Sequence, residues 1–110
     1  MKLLLSRQYL EDMCRYFMPY MINVLEARIR MRKNTELEMG ARVCLSVLED
    51  LDIMFQRKTL TRQQKFTIRL KDAEAIILVE LMGTFPIQPE DFWRMNLRNQ
   101  IIEQLHKQLV

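Results

Sequence analysis

The sequence predicts a mainly α-helical fold: a small four-helix bundle-like domain with a long kinked first helix and a short basic β-strand or hairpin between helices 2 and 3. Three observations carry this. Apolar residues recur at helical spacing over most of the chain. Glycine and proline are scarce, at 2 and 3 of 110 residues. Only one stretch, 65–71, alternates with the period of a strand. The 110 residues are read as a single domain, and 49% apolar with 28% charged residues suits a packed core rather than disorder.

The first helix rests on a heptad. Leu3, Leu10, Phe17, Val24 and Met31 hold one seam position, and Met13, Tyr20 and Ala27 the other. The expected helix runs from about Ser6 to Arg32, about 40 Å at 1.5 Å per residue. Pro19 lies inside it. Either the helix breaks at Met18, or it continues with a kink where the Arg15 carbonyl loses its partner. Met18 is a poor cap and the apolar phase runs on through Pro19, which favours the kink.

Thr35-Glu36-Leu37-Glu38 has the form of a capping box and opens the second helix. Its stripe is Leu37, Ala41, Cys44, Leu48, Leu51 and Phe55, widened by Val47 and Met54. The short joint at Lys33-Asn34 predicts an antiparallel hairpin. Gly40 one turn in costs about 1 kcal/mol against alanine, which a close backbone approach would offset.

Lys65 to Lys71 then alternates, with Phe66, Ile68 and Leu70 inward and Lys65, Thr67, Arg69 and Lys71 outward. Thr61-Arg62-Gln63-Gln64 also resembles a capping box and would start a helix instead. The β-branched Thr67 and Ile68, and a second cap at Asp72, favour the strand. Such a strand needs a neighbour, either Lys58 to Leu60 or another chain. Asp72 to Gly83 reads as the central core helix, apolar nearly all round, capped by Asp72 and ended by a left-handed Gly83. After a turn at 84–88, Pro89-Glu90-Asp91 opens the last helix, striped by Trp93, Leu97, Ile101 and Leu105 with Phe92, Ile102 and Leu109 beside it.

Few residues offer chemistry. Gly40 and Gly83 build no phosphate loop, and a single histidine leaves no nucleophile–base pair to assemble. Glu103 and His106 have the Glu-x-x-His spacing of di-iron bundles, but such a site needs a second copy and two more glutamates. A solvated His106 near a helix C-terminus is the simpler account. Glu49 and Asp52 share a helix face with Asp50 beside them, which a solvated polar surface explains. Nine methionines read as core filling before an adaptable binding surface. No enzyme, metal or cofactor is expected. Cys14 and Cys44 fall in apolar stripes, as reduced buried thiols of a cytoplasmic protein do. The opening Leu3-Leu4-Leu5 is too short for a signal sequence, and no run spans a bilayer.

Charge placement is more informative than the net charge of +3. Arg57, Lys58, Arg62, Lys65, Arg69 and Lys71 form a run without acids, and Arg28, Arg30, Arg32 and Lys33 a second. The first run is a candidate contact for a nucleic acid or another partner. The expected function is a non-catalytic interaction or assembly module, a homo-oligomer associating through Leu3, Leu10, Met13, Phe66 and Ile68. The alternative is a basic nucleic-acid-binding accessory protein using residues 56–71.

Overall fold

The computed structural model describes the backbone of residues 1–31 and 36–110, and the side chains of 1–31 and 39–110. The Lys33-Asn34 joint, the Thr35 capping box and the side chain of Leu37 lie outside the described residues. The chain begins with strand β1 (Lys2–Ser6), so Leu3, which fits the heptad of the first helix, lies in a strand instead. Ser6 ends the strand in an extended conformation, and its Oγ accepts the Tyr9 N–H at 3.2 Å, capping α1 (Arg7–Asp12). A π-helical turn (Met13–Phe17) then leads into α2 (Met18–Met31), so the three segments form one continuous helix.

The π-turn is how the helix carries Pro19. Met18 donates to the Met13 carbonyl, five residues back. The extra residue in this turn rearranges the carbonyls just ahead of the proline ring. It also shifts the stripe. Leu10, Met13 and Phe17 are buried as the heptad predicts, but beyond the turn Met18 is buried beside Phe17, and Met21 and Leu25 are buried where the heptad would place Tyr20 and Val24. The seam therefore slips by one position, and Met31, expected on it, is 84% exposed.

Helix α3 (Glu36–Thr59) packs along α2 as a helical hairpin. Its buried residues are Leu48, Leu51 and Phe55, with Ala41, Cys44, Val47 and Met54 partly covered. A Cβ built on Gly40 meets nothing within 4 Å among the described residues, so no close approach to them explains that glycine. Gly40→Ala is accordingly expected to raise stability by about 0.5–1 kcal/mol, read as a higher denaturation midpoint at unchanged slope.

Strand β2 (Lys65–Arg69) has the predicted inward and outward alternation. Its partner is neither Lys58–Leu60 nor a second chain. It pairs antiparallel with β1, Leu3 opposite Ile68 and Leu5 opposite Phe66. Residues 61–64 form the loop before it, not a helix. Helix α4 (Asp72–Met82) is capped one residue earlier than expected, Lys71 N–H donating to Glu74 Oε1 at 2.7 Å. Gly83 is right-handed, at φ −62° and ψ −21°. The helix ends through a tightened turn instead, with Thr84 N–H on the Leu81 carbonyl at 3.1 Å and Phe85 N–H on that of Met82 at 3.2 Å. Pro86 stops it there.

Helix α4 buries Ala75, Leu78, Leu81 and Met82 but leaves Ile76 44% exposed, so it forms one wall of the core. The first helix contributes Leu10, Met13, Phe17, Met18, Met21 and Leu25 to the core and has α3 along it. Helix α5 (Phe92–Leu109) starts at the Asp91 cap, which accepts Arg94 N–H at 3.1 Å; Pro89 and Glu90 stay in the preceding turn. Leu97, Ile101 and Leu105 are buried, whereas Phe92 and Trp93 are exposed. The core has no buried polar or charged residue among the described ones.

Candidate functional site

The surface that concentrates unexplained charge is the two-stranded sheet. Its inner face, Leu3, Leu5, Phe66 and Ile68, is buried on the helices. Its outer face sets Lys2 opposite Arg69, Leu4 opposite Thr67 and Ser6 opposite Lys65. Two cations face each other across the ladder with no acid on that face, an arrangement that raises the local field. Lys71 follows directly, and none of Lys2, Lys65, Arg69 or Lys71 makes an ion pair among the described residues.

The remaining predicted contacts lie around the end of α3. Arg57 and Lys58 occupy its last turn, where positive charge complements the helix dipole. With Asp50, Ile53, Met54 and Thr61 they line an open depression of about 530 Å³. Arg62 is exposed in the loop that follows. That loop is fixed by Arg7, a cation the sequence did not single out. Its guanidinium donates to the carbonyls of Gln63 at 2.8 Å, Thr59 at 3.0 Å and Thr61, pairs with Glu11 at 3.5 Å, and lies 5.5 Å from the Phe66 ring.

The two edges of the sheet differ. Leu70 N–H donates to the Met1 carbonyl and Arg7 N–H to that of Gln64, both at 2.8 Å. Antiparallel alternation then turns the N–H and C=O of Lys2 and Leu4 away from β2. Helix α5 meets them with two glutamines. Gln108 accepts from Lys2 N–H at 2.8 Å and donates to its carbonyl at 2.7 Å. Gln104 does the same for Leu4 at 2.8 and 3.0 Å. A carboxamide carries a donor and an acceptor as a peptide group does. Residues four apart on a helix rise about 6 Å, close to the nearly 7 Å between alternate strand residues. Nothing in the sequence distinguishes Gln104 and Gln108 from ordinary helix-surface residues. Edge β1 is closed by them. At β2 the outward groups belong to Lys65, Thr67 and Arg69, and no described residue bonds to them.

The residues expected to mediate self-association are in the interior. Leu3, Leu10, Met13 and Ile68 are 0% exposed and Phe66 is 3%. Their apolar surface is satisfied by the chain's own core, so the reason for assigning them to an interface is gone. Exposed apolar surface lies elsewhere. Beyond Leu25 on α2 and before Leu48 on α3 no described residue is buried, and this arm of the hairpin presents Met31, Met39 and Val43 at 84%, 70% and 65% exposure. Beside them runs a groove of about 440 Å³ lined by Glu26, Ile29, Arg30, Arg42, Leu45, Ser46 and Glu49.

Several polar groups elsewhere are engaged in structure. Trp93 Nε1–H donates to Asp12, with its ring 4.8 Å from Tyr9, and the Arg94 guanidinium stacks 3.8 Å over Tyr16. These contacts seat α5 on the first helix. Glu103 pairs with Lys107 at 3.8 Å, and His106 is exposed. Among the described residues no three His, Cys, Asp or Glu side chains converge on a metal-sized site. Glu49 and Asp50 face solvent, while half-buried Asp52 accepts from Gln56 at 3.0 Å. Burial, followed by the charges of Asp52 and Glu11, pushes the Cys14 thiol up to about 11. It is thus protonated near neutrality and a poor nucleophile. No helix is long and apolar enough to cross a membrane among the described residues. No protein-family model, curated protein or solved structure matches the chain.

Proposed function

We propose that the protein is a non-catalytic assembly module that pairs with a second copy through the arm of its α2–α3 hairpin. The observation supporting this is the exposed trio Met31, Met39 and Val43 beyond the last buried layer. Flexible methionines suit a surface that packs against another helix pair. The adjoining groove carries two acids, Glu26 and Glu49, and two arginines, Arg30 and Arg42. A two-fold axis presents the same patch from both sides, so a patch of mixed sign can complement itself. Two hairpins joined this way make a four-helix layer.

Light scattering at micromolar concentration is expected to give twice the chain mass of 13.4 kDa. Met39→Glu combined with Val43→Glu should return the single-chain mass with the helical circular dichroism unchanged, since both positions are exposed in the single chain. A wild-type mass of one chain under these conditions overturns the reading.

Nucleic-acid binding by residues 56–71 is the second reading, favoured by the unpaired Lys65, Arg69 and Lys71. Against it, the aromatic within the segment, Phe66, is buried and offers no base a stacking surface.

A further inference from the structure

We propose that the free edge of β2 is a docking site for an extended acidic segment of a partner protein, which adds to the sheet as a third strand beside β2. This goes beyond the assembly reading and uses a different surface. The backbone supports it first. The N–H and C=O groups of Lys65, Thr67 and Arg69 point away from β1 and have no partner among the described residues. Among the described residues, β1 is the element in extensive contact along β2. The fold closes the opposite edge with four bonds from Gln104 and Gln108. An open edge is a template for an incoming strand, whose main chain supplies affinity while alternate side chains supply choice.

Charge selects the occupant. An added strand sets every second side chain on the solvent face beside Lys65, Thr67 and Arg69, next to a ladder that already holds Lys2 against Arg69. Acidic residues at alternate positions would neutralise this face. A second copy of β2 would do the reverse. Two-fold pairing about Thr67 places Lys65 of each strand opposite Arg69 of the other, adding like-charge contacts to a face that is already basic. Edge lysines are a known guard against such self-pairing. The charges that exclude a copy of this strand admit an acidic one. Apolar residues at the intervening positions would lie on the side of Phe66 and Ile68.

The test uses a labelled Asp-Val-Glu-Val-Asp-Val-Glu peptide and the full chain, read by fluorescence anisotropy at low salt. Saturable binding is expected, weakened about tenfold or more by Lys65→Glu with Arg69→Glu. Amide hydrogen exchange should slow at Lys65, Thr67 and Arg69 when the peptide is present. The same peptide N-methylated at its Asp and Glu residues keeps its charge but loses the N–H groups that face β2, and it should not bind. Binding that survives N-methylation, or leaves those three amides unprotected, overturns strand addition. So does failure to bind at millimolar peptide. Tighter binding of single-stranded oligonucleotide, lost in the same double variant, assigns the face to nucleic acid instead. Met39→Glu with Val43→Glu should leave peptide binding intact, so the two proposals fail separately.

Discussion

Phe17→Ala is expected to destabilise the fold by about 3–5 kcal/mol, the range for removing a fully buried aromatic ring. Phe17 is 0% exposed and sits in the π-turn. Its ring centroid lies 4.4 Å from that of Phe85, which is 4.6 Å from Tyr20, whose hydroxyl donates to the Thr84 carbonyl at 3.2 Å. One ring therefore ties the bend of the first helix to the connection between α4 and α5. A domain of this size loses about 4–8 °C of melting temperature per kcal/mol, so calorimetry should show a drop of at least about 12 °C. Phe85→Ala should cost less, because that ring is only half-buried. A loss below about 1 kcal/mol for Phe17→Ala would mean the core closes over the vacancy.

Leu3→Ala is expected to cost about 2–5 kcal/mol, and its neighbour Leu4→Ala about 0.5 kcal/mol or less. Leu3 is 0% exposed opposite Ile68, whereas Leu4 is 58% exposed opposite Thr67. The contrast tests the register. A slip of one residue would send Leu4 inward and reverse the order of the two losses. Urea denaturation of the two variants decides it. For the same reason Leu10→Glu is no probe of association, because Leu10 is fully buried and a charge there unfolds the chain.

The helices and β2 were legible because their signals are local. Caps and stripes recur every three or four residues, and 65–71 alternates without interruption. Strand β1 was not, since three consecutive leucines hide the alternation and the strand it joins is far away in sequence. Leu3 also fitted the heptad, and so was counted into a helix it does not reach. The π-turn was invisible for a related reason. Pro19 announces a disturbance, but whether the stripe keeps its phase is settled by packing, and burial of Met21 and Leu25 required the slip. Of the candidate site, the basic residues were legible. Which of them share a face was not, because that depended on knowing what pairs with β2.

The glutamine clasp has a consequence for synthesis. Its two amides come from the far end of the chain relative to the strand they cover. At translation rates of about 5–20 residues per second, about 5–20 s separate the appearance of Ser6 from that of Gln104. During that interval the backbone groups of Lys2 and Leu4, with the Leu4 side chain exposed beside them, have no partner along the outer edge of β1. Lys2 is the charged side chain within that strand. The ribosome-bound chain is thus at its most adhesive before α5 arrives, and variants lacking Gln104 or Gln108 should lose soluble yield more than they lose stability once folded.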